Sequence, residues 1–162
     1  MDKEELLDLI QTGEGYTLDF KESLPSDLGR HICAFANASG GRIILGVRDD
    51  GSASGYILSN ADEAKINSTA RNLEPSVRVS VERVGGFAVI HVPEGESKPH
   101  SSAGQFYLRI GSTSQQLKRD EIREFFHRER LVRFDEKPNM EFDFKHDFYR
   151  LKFNDYLARA KI

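Results

Sequence analysis

The sequence predicts an α+β domain, in which a mixed β-sheet contains a β-hairpin and is flanked by helices, and three observations support this fold class. A near-continuous apolar run at residues 43–45 is typical of a central strand. Valines alternate with polar residues over 77–81, and Gly85-Gly86 then turns the chain into the apolar segment 87–92, which predicts an antiparallel hairpin. Segments with the apolar spacing of amphipathic helices lie before and after these strands.

The first quarter of the chain predicts a helix, a strand and a second helix. Residues 2–10 have the apolar spacing of a short amphipathic helix with an acidic first turn, and residues 16–20 alternate as a strand does. The second helix is expected to open at Pro25-Ser26, with Ser26 as its cap, and to reach about Ala38. Gly40-Gly41 then closes this helix, because glycine tolerates the left-handed conformation of a helix C-terminus.

The remaining elements follow from the same patterns. Residues 42–47 are predicted as the central strand, residues 49–51 as a turn and residues 54–58 as a strand that returns beside it. A helix is expected from Asn60 or Asp62 to about Leu73. The prediction is completed by the hairpin of residues 77–92, a strand at 105–110 and a helix at 119–130.

Composition excludes several classes of protein. No run approaches the roughly 18 apolar residues of a membrane-spanning helix, and the acidic first ten residues are unlike a secretory signal. Cys33 is the one cysteine, so we expect no internal disulfide, no thiolate zinc site and a reducing, cytoplasmic location. A net charge of -3 argues against a globally basic nucleic-acid binder and leaves only a local basic face.

The predicted domain covers residues 1–130. After Arg130 the periodic pattern weakens, although aromatic residues stay frequent: Phe134, Phe142, Phe144, Phe148, Tyr149 and Phe153. This aromatic C-terminal extension, residues 131–162, is expected to pack on the domain or to lead into a further domain of a longer parent protein.

Three segments carry the functional signal. The first, residues 14–23, reads Glu-Gly-Tyr-Thr-Leu-Asp-Phe-Lys-Glu-Ser. The second joins Ala-Phe-Ala-Asn-Ala-Ser-Gly-Gly at 34–41 to Ile-Leu-Gly-Val-Arg-Asp-Asp-Gly at 44–51. The third is Lys98-Pro99 followed by Phe-Tyr-Leu-Arg-Ile-Gly-Ser-Thr at 106–113. In this order and spacing the segments resemble the Schlafen AlbA_2 family, over about residues 5–126.

This resemblance implies a lobe of the Schlafen-core type and a nucleic-acid-binding regulatory domain, of the kind found in transcriptional regulators. In the Schlafen branch it also implies a divalent-metal-dependent endoribonuclease with three carboxylates, and Glu14, Asp19 and Asp49 match their positions. These acids are the implied catalytic residues and ligands of Mg²⁺ or Mn²⁺. The family's second acid is commonly Glu. The side chain of Asp19 is shorter, which would shift this metal ligand by about one carbon–carbon bond. Lys21 follows in the family's Phe-Lys pair and is the implied phosphate-facing cation.

The residue types are compatible with such a centre, but they leave a second interpretation open. Mg²⁺ prefers oxygen ligands and commonly takes one or two carboxylates with waters and phosphate oxygens. Acids at the ends of adjacent strands can meet at one edge of a sheet and hold a metal that activates water. Alternatively, Asp49 lies in a solvated turn, Glu14 is an exposed loop acid and Lys21 is an ordinary edge-strand lysine.

A local basic surface is the second candidate site. Tyr107 is a candidate for stacking a nucleobase, unless it is merely an exposed residue of an alternating strand. The candidate nucleic-acid-binding residues are Arg42, Arg48, Lys98, His100, Tyr107, Arg109, Lys118 and Arg119.

The expected partners are RNA or DNA and a second copy of the chain, with no membrane. The homodimer is expected because the Schlafen core that this chain resembles holds two such lobes in one polypeptide. Two alternatives stay open: a non-catalytic dimerising module that positions a downstream ATPase-like or winged-helix domain, and an ATP-binding domain. The chain has no Gly-Lys-Ser/Thr motif, so a P-loop is not expected.

Overall fold

The structure is a computed structural model, and it describes residues 1–129, 143 and 148–160. The chain divides into two compact units, residues 1–131 and 132–162. Helix α5 (Arg150–Ala160) belongs to the second unit, and all other elements described below belong to the first. Phe134, Phe142 and Phe144 of the predicted extension lie outside the described residues, and its role as a lead into a further domain stays a prediction.

The larger sheet is mixed, as the sequence predicts. It contains β1 (Leu18–Lys21), β2 (Gly41–Leu45), β3 (Ser80–Val84) and β4 (Phe87–Val92), in the order β1-β2-β4-β3. β1 and β2 are parallel, whereas β4 is antiparallel to both of its neighbours. The predicted hairpin is therefore confirmed as β3–β4, and together with the flanking helices it confirms the α+β fold class.

A smaller antiparallel sheet follows in the chain. It contains β5 (Ser101–Ser102), β6 (Gln105–Ile110) and β7 (Thr113–Gln116), in sequential order. Helix α2 (Leu28–Asn37) connects β1 to β2 and contacts strands of both sheets, so it joins them. Residues 101–116 are thereby held beside the N-terminal part of the chain.

Three further helices complete the first unit: α1 (Lys3–Gln11), α3 (Asn60–Arg71) and α4 (Arg119–Arg128). α1 and α3 each begin with a capping box, in which the cap side chain, Asp2 or Ser59, accepts a hydrogen bond from a backbone N–H of the first turn. Among the described residues, no helix combines the length and apolar character that crossing a membrane requires.

The core lies on both faces of the larger sheet, because strand side chains alternate between faces. On β2, Ile43 and Leu45 pack with α2 and α3, whereas Ile44 packs on the opposite face with α1. Full burial of such a side chain stabilises the fold by about 1.5–3 kcal/mol. Gly41 allows a close approach at the start of β2, since a Cβ there would lie 2.5 Å from the Phe35 ring.

Two sequence predictions were wrong in detail. Residues 54–58 are not a strand, and in this region an isolated bridge pairs Ala53 with Val47. The reason is that β1 and β4 already occupy both edges of β2, so no edge is left for a returning strand. Ser26 does not cap α2, because Asp27 is the N-cap residue, and its carboxylate instead approaches Arg30 and His31.

Candidate nucleic-acid interface

Asp19 lies at the centre of a buried charged cluster. Its side chain is 3% exposed and lies on the face of β1 that packs against α2. Oδ1 accepts a hydrogen bond from Arg109 Nη2 at 3.1 Å. Oδ2 lies 2.8 Å from Lys21 Nζ and 3.2 Å from His31 Nδ1, in ion-pair contacts whose angles are not those of hydrogen bonds. Both carboxylate oxygens are therefore already engaged within the protein.

Arg109 is the partner that reaches farthest across the fold. Its side chain has no exposed surface, and its guanidinium lies 4.6 Å from the centre of the Phe35 ring. It donates hydrogen bonds to the carbonyls of Gly15 and Leu18 and to Ser114 Oγ. These contacts attach β6 to β1. The predicted role of Arg109 on a basic surface is wrong, because its charge is buried and paired with Asp19 inside the fold.

This environment keeps Asp19 ionised. Burial alone would raise the pKa of the carboxyl, because a low-dielectric surrounding disfavours charge. The contacts with His31 and Lys21, together with the positive charges of Lys21 and Arg109, outweigh burial and hold the pKa well below its usual range. Lys21 Nζ already contacts Asp19 and donates a hydrogen bond to the Phe20 carbonyl. A phosphate group, as the predicted role of Lys21 requires, would compete with these two partners.

The three predicted metal ligands do not form one cluster. Glu14 and Asp49 line the same cavity of about 590 Å³, together with Asp50, and we call it the acidic cavity. Asp19 does not line it, because adjacent strand residues point to opposite faces and it is Phe20 that faces the acidic cavity. Across the described residues, no group of three His, Cys, Asp or Glu side chains is placed to hold a metal ion. The residues present therefore do not fit the implied three-carboxylate centre.

Several predicted basic-surface residues are engaged or buried. Arg48 bonds to residues 52–54 of its own loop, and Lys98 bonds to the Ala38 carbonyl and to Glu94. His100 is 3% exposed, so the interior position of its ring contradicts the surface prediction. Tyr107 is half-buried and packs against the core that contains α2, which leaves its ring little surface for stacking a base.

Besides Arg48, which bonds to its own loop, three of the predicted basic residues are exposed: Arg42 on β2, and Lys118 and Arg119 at the start of α4. Lys118 and Arg119 line a cavity beside β6 and β7 that does not include Arg42. The structure therefore separates the predicted basic surface into two places.

Arg42 lies on a part of the larger sheet that α1 leaves uncovered. The strand register aligns Arg42 with His91 of β4, and His91 with Ser80 of β3, in one row across the sheet. This row lines a cavity of about 660 Å³ together with Arg78. We call the part of its lining that is formed by Arg42, Arg78, Ser80 and His91 the open sheet face. Sequence reasoning missed Arg78 and His91, because the pairing of β2 with β4 brings together residues far apart in the chain.

The family model described as Schlafen, AlbA_2 matches residues 14–118, about two thirds of the chain. The chain belongs to the Schlafen AlbA_2 family. The match confirms the resemblance carried by the three motif segments, and it includes β1 to β7 of this AlbA_2 domain. Membership of the family indicates a nucleic-acid-related function.

A solved structure has a similar fold. The DIP2311 protein from Corynebacterium diphtheriae superposes on this AlbA_2 domain with a TM-score of 0.50 at 19% sequence identity. The match covers 68% of this chain and 24% of that chain, so the matched region spans about a quarter of the solved protein. At this identity the likeness supports the fold alone.

Proposed function

We propose that this AlbA_2 domain is a nucleic-acid-binding regulatory module that contacts its ligand at the open sheet face. The observation that carries the proposal is that Arg42 and Arg78 are both exposed and line one cavity. Neither side chain forms an ion pair or a hydrogen bond within the part of the chain that the structure describes. Two uncompensated guanidinium groups at one concave surface favour binding of phosphate groups.

The charges around the open sheet face support this assignment. His91, which lies between Arg42 and Ser80 in the row, is 3.3 Å from Glu82. The same Glu82 carboxylate receives the N-terminal ammonium at 3.0 Å, so its negative charge is already balanced in part. Because the net charge of the chain is -3, we expect binding to be weak, local and salt-dependent.

Fluorescence anisotropy with labelled RNA and DNA tests the proposal. Arg42→Ala and Arg78→Ala should each weaken binding similarly across sequences and lower the slope of log K against log salt by about one unit or slightly less. Arg123→Ala is the matched control, because Arg123 is 73% exposed on α4 and lies outside the cavity of the open sheet face. Unchanged affinity in both cavity variants would reject the open sheet face as the binding site.

Divalent-metal-dependent RNA cleavage is a second, separate proposal, and it is restricted to the carboxylates of the acidic cavity, because Asp19 does not line it. It is supported by the family resemblance and by the shared position of Glu14 and Asp49 in the acidic cavity. Glu14 is partly engaged there, because its Oε1 accepts a hydrogen bond from the backbone N–H of Phe20 at 2.7 Å. The cleavage assay in the Discussion tests this proposal independently of nucleic-acid binding.

A further inference from the structure

A second basic cavity adjoins the open sheet face. It has a volume of about 460 Å³, and its polar lining includes Asn67, Arg71 and Ser76. The two cavities share Arg78 and Val79, the residues that lead into β3. Arg78 therefore stands at the junction of these two cavities, and it also lines a third cavity of about 330 Å³, which includes Glu94 and Glu96.

Three arginines mark the course of these cavities. Arg42 lies on β2, Arg78 precedes β3, and Arg71 is the last residue of α3. All three are exposed, and none has a side-chain hydrogen bond or ion pair within residues 1–129, 143 and 148–160. Several other arginines of the first unit are engaged: Arg30 bonds to the Ser114 carbonyl, Arg48 to its own loop, and Arg83 to Glu63. Among the described residues Arg119 is also exposed without such a partner, but it lines a separate cavity beside β6 and β7.

The spacing of the arginines favours a ligand with several phosphate groups over a single small anion. Arg42 and Ser80 belong to one row that crosses β2, β4 and β3, so two strand spacings, about 10 Å, separate their Cα atoms. Arg78 lies two residues before Ser80, and Arg71, at the end of α3, lines the second cavity together with Arg78. The positive charges are thus spread along a path, which suits successive phosphates of one strand.

Apolar side chains line both cavities beside the polar ones. Leu9 and Val79 are half-buried and Pro93 is exposed around the first cavity, and Val79 continues into the second. Exposed apolar surface between cations can contact the faces of unpaired bases, whereas a duplex turns its phosphates outward and stacks its bases inside. A site that contacts only the phosphate backbone of a duplex does not need exposed apolar side chains beside its cations.

From these observations we propose that the two cavities form one track for a single nucleic-acid strand, which runs from Arg42 past Arg78 to Arg71. This inference rests on the proposed function and specifies its ligand as unpaired RNA or DNA. The phosphates would pair with the three guanidinium groups, and the bases would contact the apolar side chains that line the two cavities.

The test compares single strands with duplexes on the full chain. Labelled oligouridine and oligodeoxythymidine of about eight nucleotides, a length that single-strand-binding modules cover, are measured beside RNA and DNA duplexes of equal length that a hairpin loop keeps paired. We expect at least one of the single strands to bind about tenfold more tightly than its duplex, because its unpaired bases can contact the apolar side chains of the cavities. Arg71→Ala should lower the salt slope for that strand by about 0.7 units, whereas Arg123→Ala should leave it unchanged.

The outcomes separate this inference from the proposed function. If duplexes bind as tightly as single strands and Arg42→Ala weakens both, the open sheet face is a nucleic-acid site but the single-strand track is rejected. If Arg71→Ala matches the wild-type chain in affinity and slope, the extension over the second cavity is rejected. If none of the probes binds, the proposed function itself fails.

Discussion

Arg109 of β6 donates a hydrogen bond to Asp19 of β1 across 3.1 Å, and both side chains are buried. The two residues are far apart in the sequence and belong to different sheets. Their pairing, with the Arg109 bonds to the Gly15 and Leu18 carbonyls, attaches the smaller sheet to the first strand of the larger one. The acid that the family motif marks as a metal ligand is, in this chain, the anchor of an internal ion cluster.

Replacement of Asp19 should therefore destabilise the fold. Asp19→Asn leaves the buried Arg109 guanidinium and the neighbouring Lys21 without their counter-charge, and loss of one partner from a buried pair typically costs about 3–5 kcal/mol. Urea unfolding should show a midpoint well below that of the wild-type chain. Asp49→Asn is the matched control, because Asp49 is exposed and its replacement should change stability by about 0.5 kcal/mol or less. Equal midpoints for the two variants would contradict the anchoring role.

The same cluster predicts a pH dependence of stability. The folded state lowers the pKa of Asp19 from its ordinary value of 3.8, so the unfolded chain takes up a proton at higher pH than the folded chain does. The stabilisation from Asp19 is fully present above about pH 4 and is lost as pH falls toward the folded-state pKa. The stability difference between wild type and Asp19→Asn should therefore shrink below about pH 4. A difference that stays constant from pH 7 to pH 2 would refute the linkage.

Cys33 should be chemically inert in the folded protein. Its side chain is fully buried, and burial raises the pKa of the thiol to about 11. Since the thiolate is the reactive form, a thiol reagent at pH 8 should modify Cys33 far more slowly in the native chain than in urea. Rapid stoichiometric labelling of the native chain, with retention of its circular dichroism spectrum, would show that the site is accessible.

If the acidic cavity supports cleavage, Asp49→Ala should abolish Mg²⁺- or Mn²⁺-dependent cleavage of RNA without unfolding the domain. Asp49 is an exposed residue after β2, so its removal should leave the melting temperature close to that of the wild-type chain. Asp50→Ala, in the same turn, is the comparison variant and should retain more activity because the family motif places the third acid at position 49. Equal cleavage by wild type and Asp49→Ala would remove the nuclease proposal.

The homodimer predicted from the resemblance remains to be tested. β3 is an edge strand of the larger sheet, where an unpaired backbone can receive another chain. Arg83 of this strand pairs with Glu63 of α3, and such charged side chains can limit edge-to-edge pairing. Tyr149, Phe153 and Tyr156 are exposed apolar surface in the second unit. Light scattering should give twice 18.4 kDa for a dimer, and a mass near 18.4 kDa at tens of micromolar would exclude it.

Local patterns in the sequence determined most of the secondary structure and the family. The hairpin pattern of residues 77–92 and the apolar run at 43–45 predict strands that the structure contains, although β3 begins only at Ser80, because burial of one or both faces imposes such spacing. The three motif segments predict the Schlafen AlbA_2 family, which the match over residues 14–118 confirms. The same local patterns also predicted a strand at 54–58, since they cannot show that β1 and β4 already pair with both edges of β2.

Tertiary structure alone decided which charged residues are available for binding. Spacing along the chain places Asp19 near Glu14 and predicts that Arg109 is an exposed strand residue. The packing of α2 between the two sheets instead buries Asp19 and Arg109 and pairs them with each other. The register of β2 with β4 brings Arg42 beside His91, and the chain that leads into β3 adds Arg78 to the same cavity. The energy of an ion pair depends on the distance between its charges in space. Asp19 and Arg109 are 90 residues apart in the sequence, so no local pattern predicts that they pair.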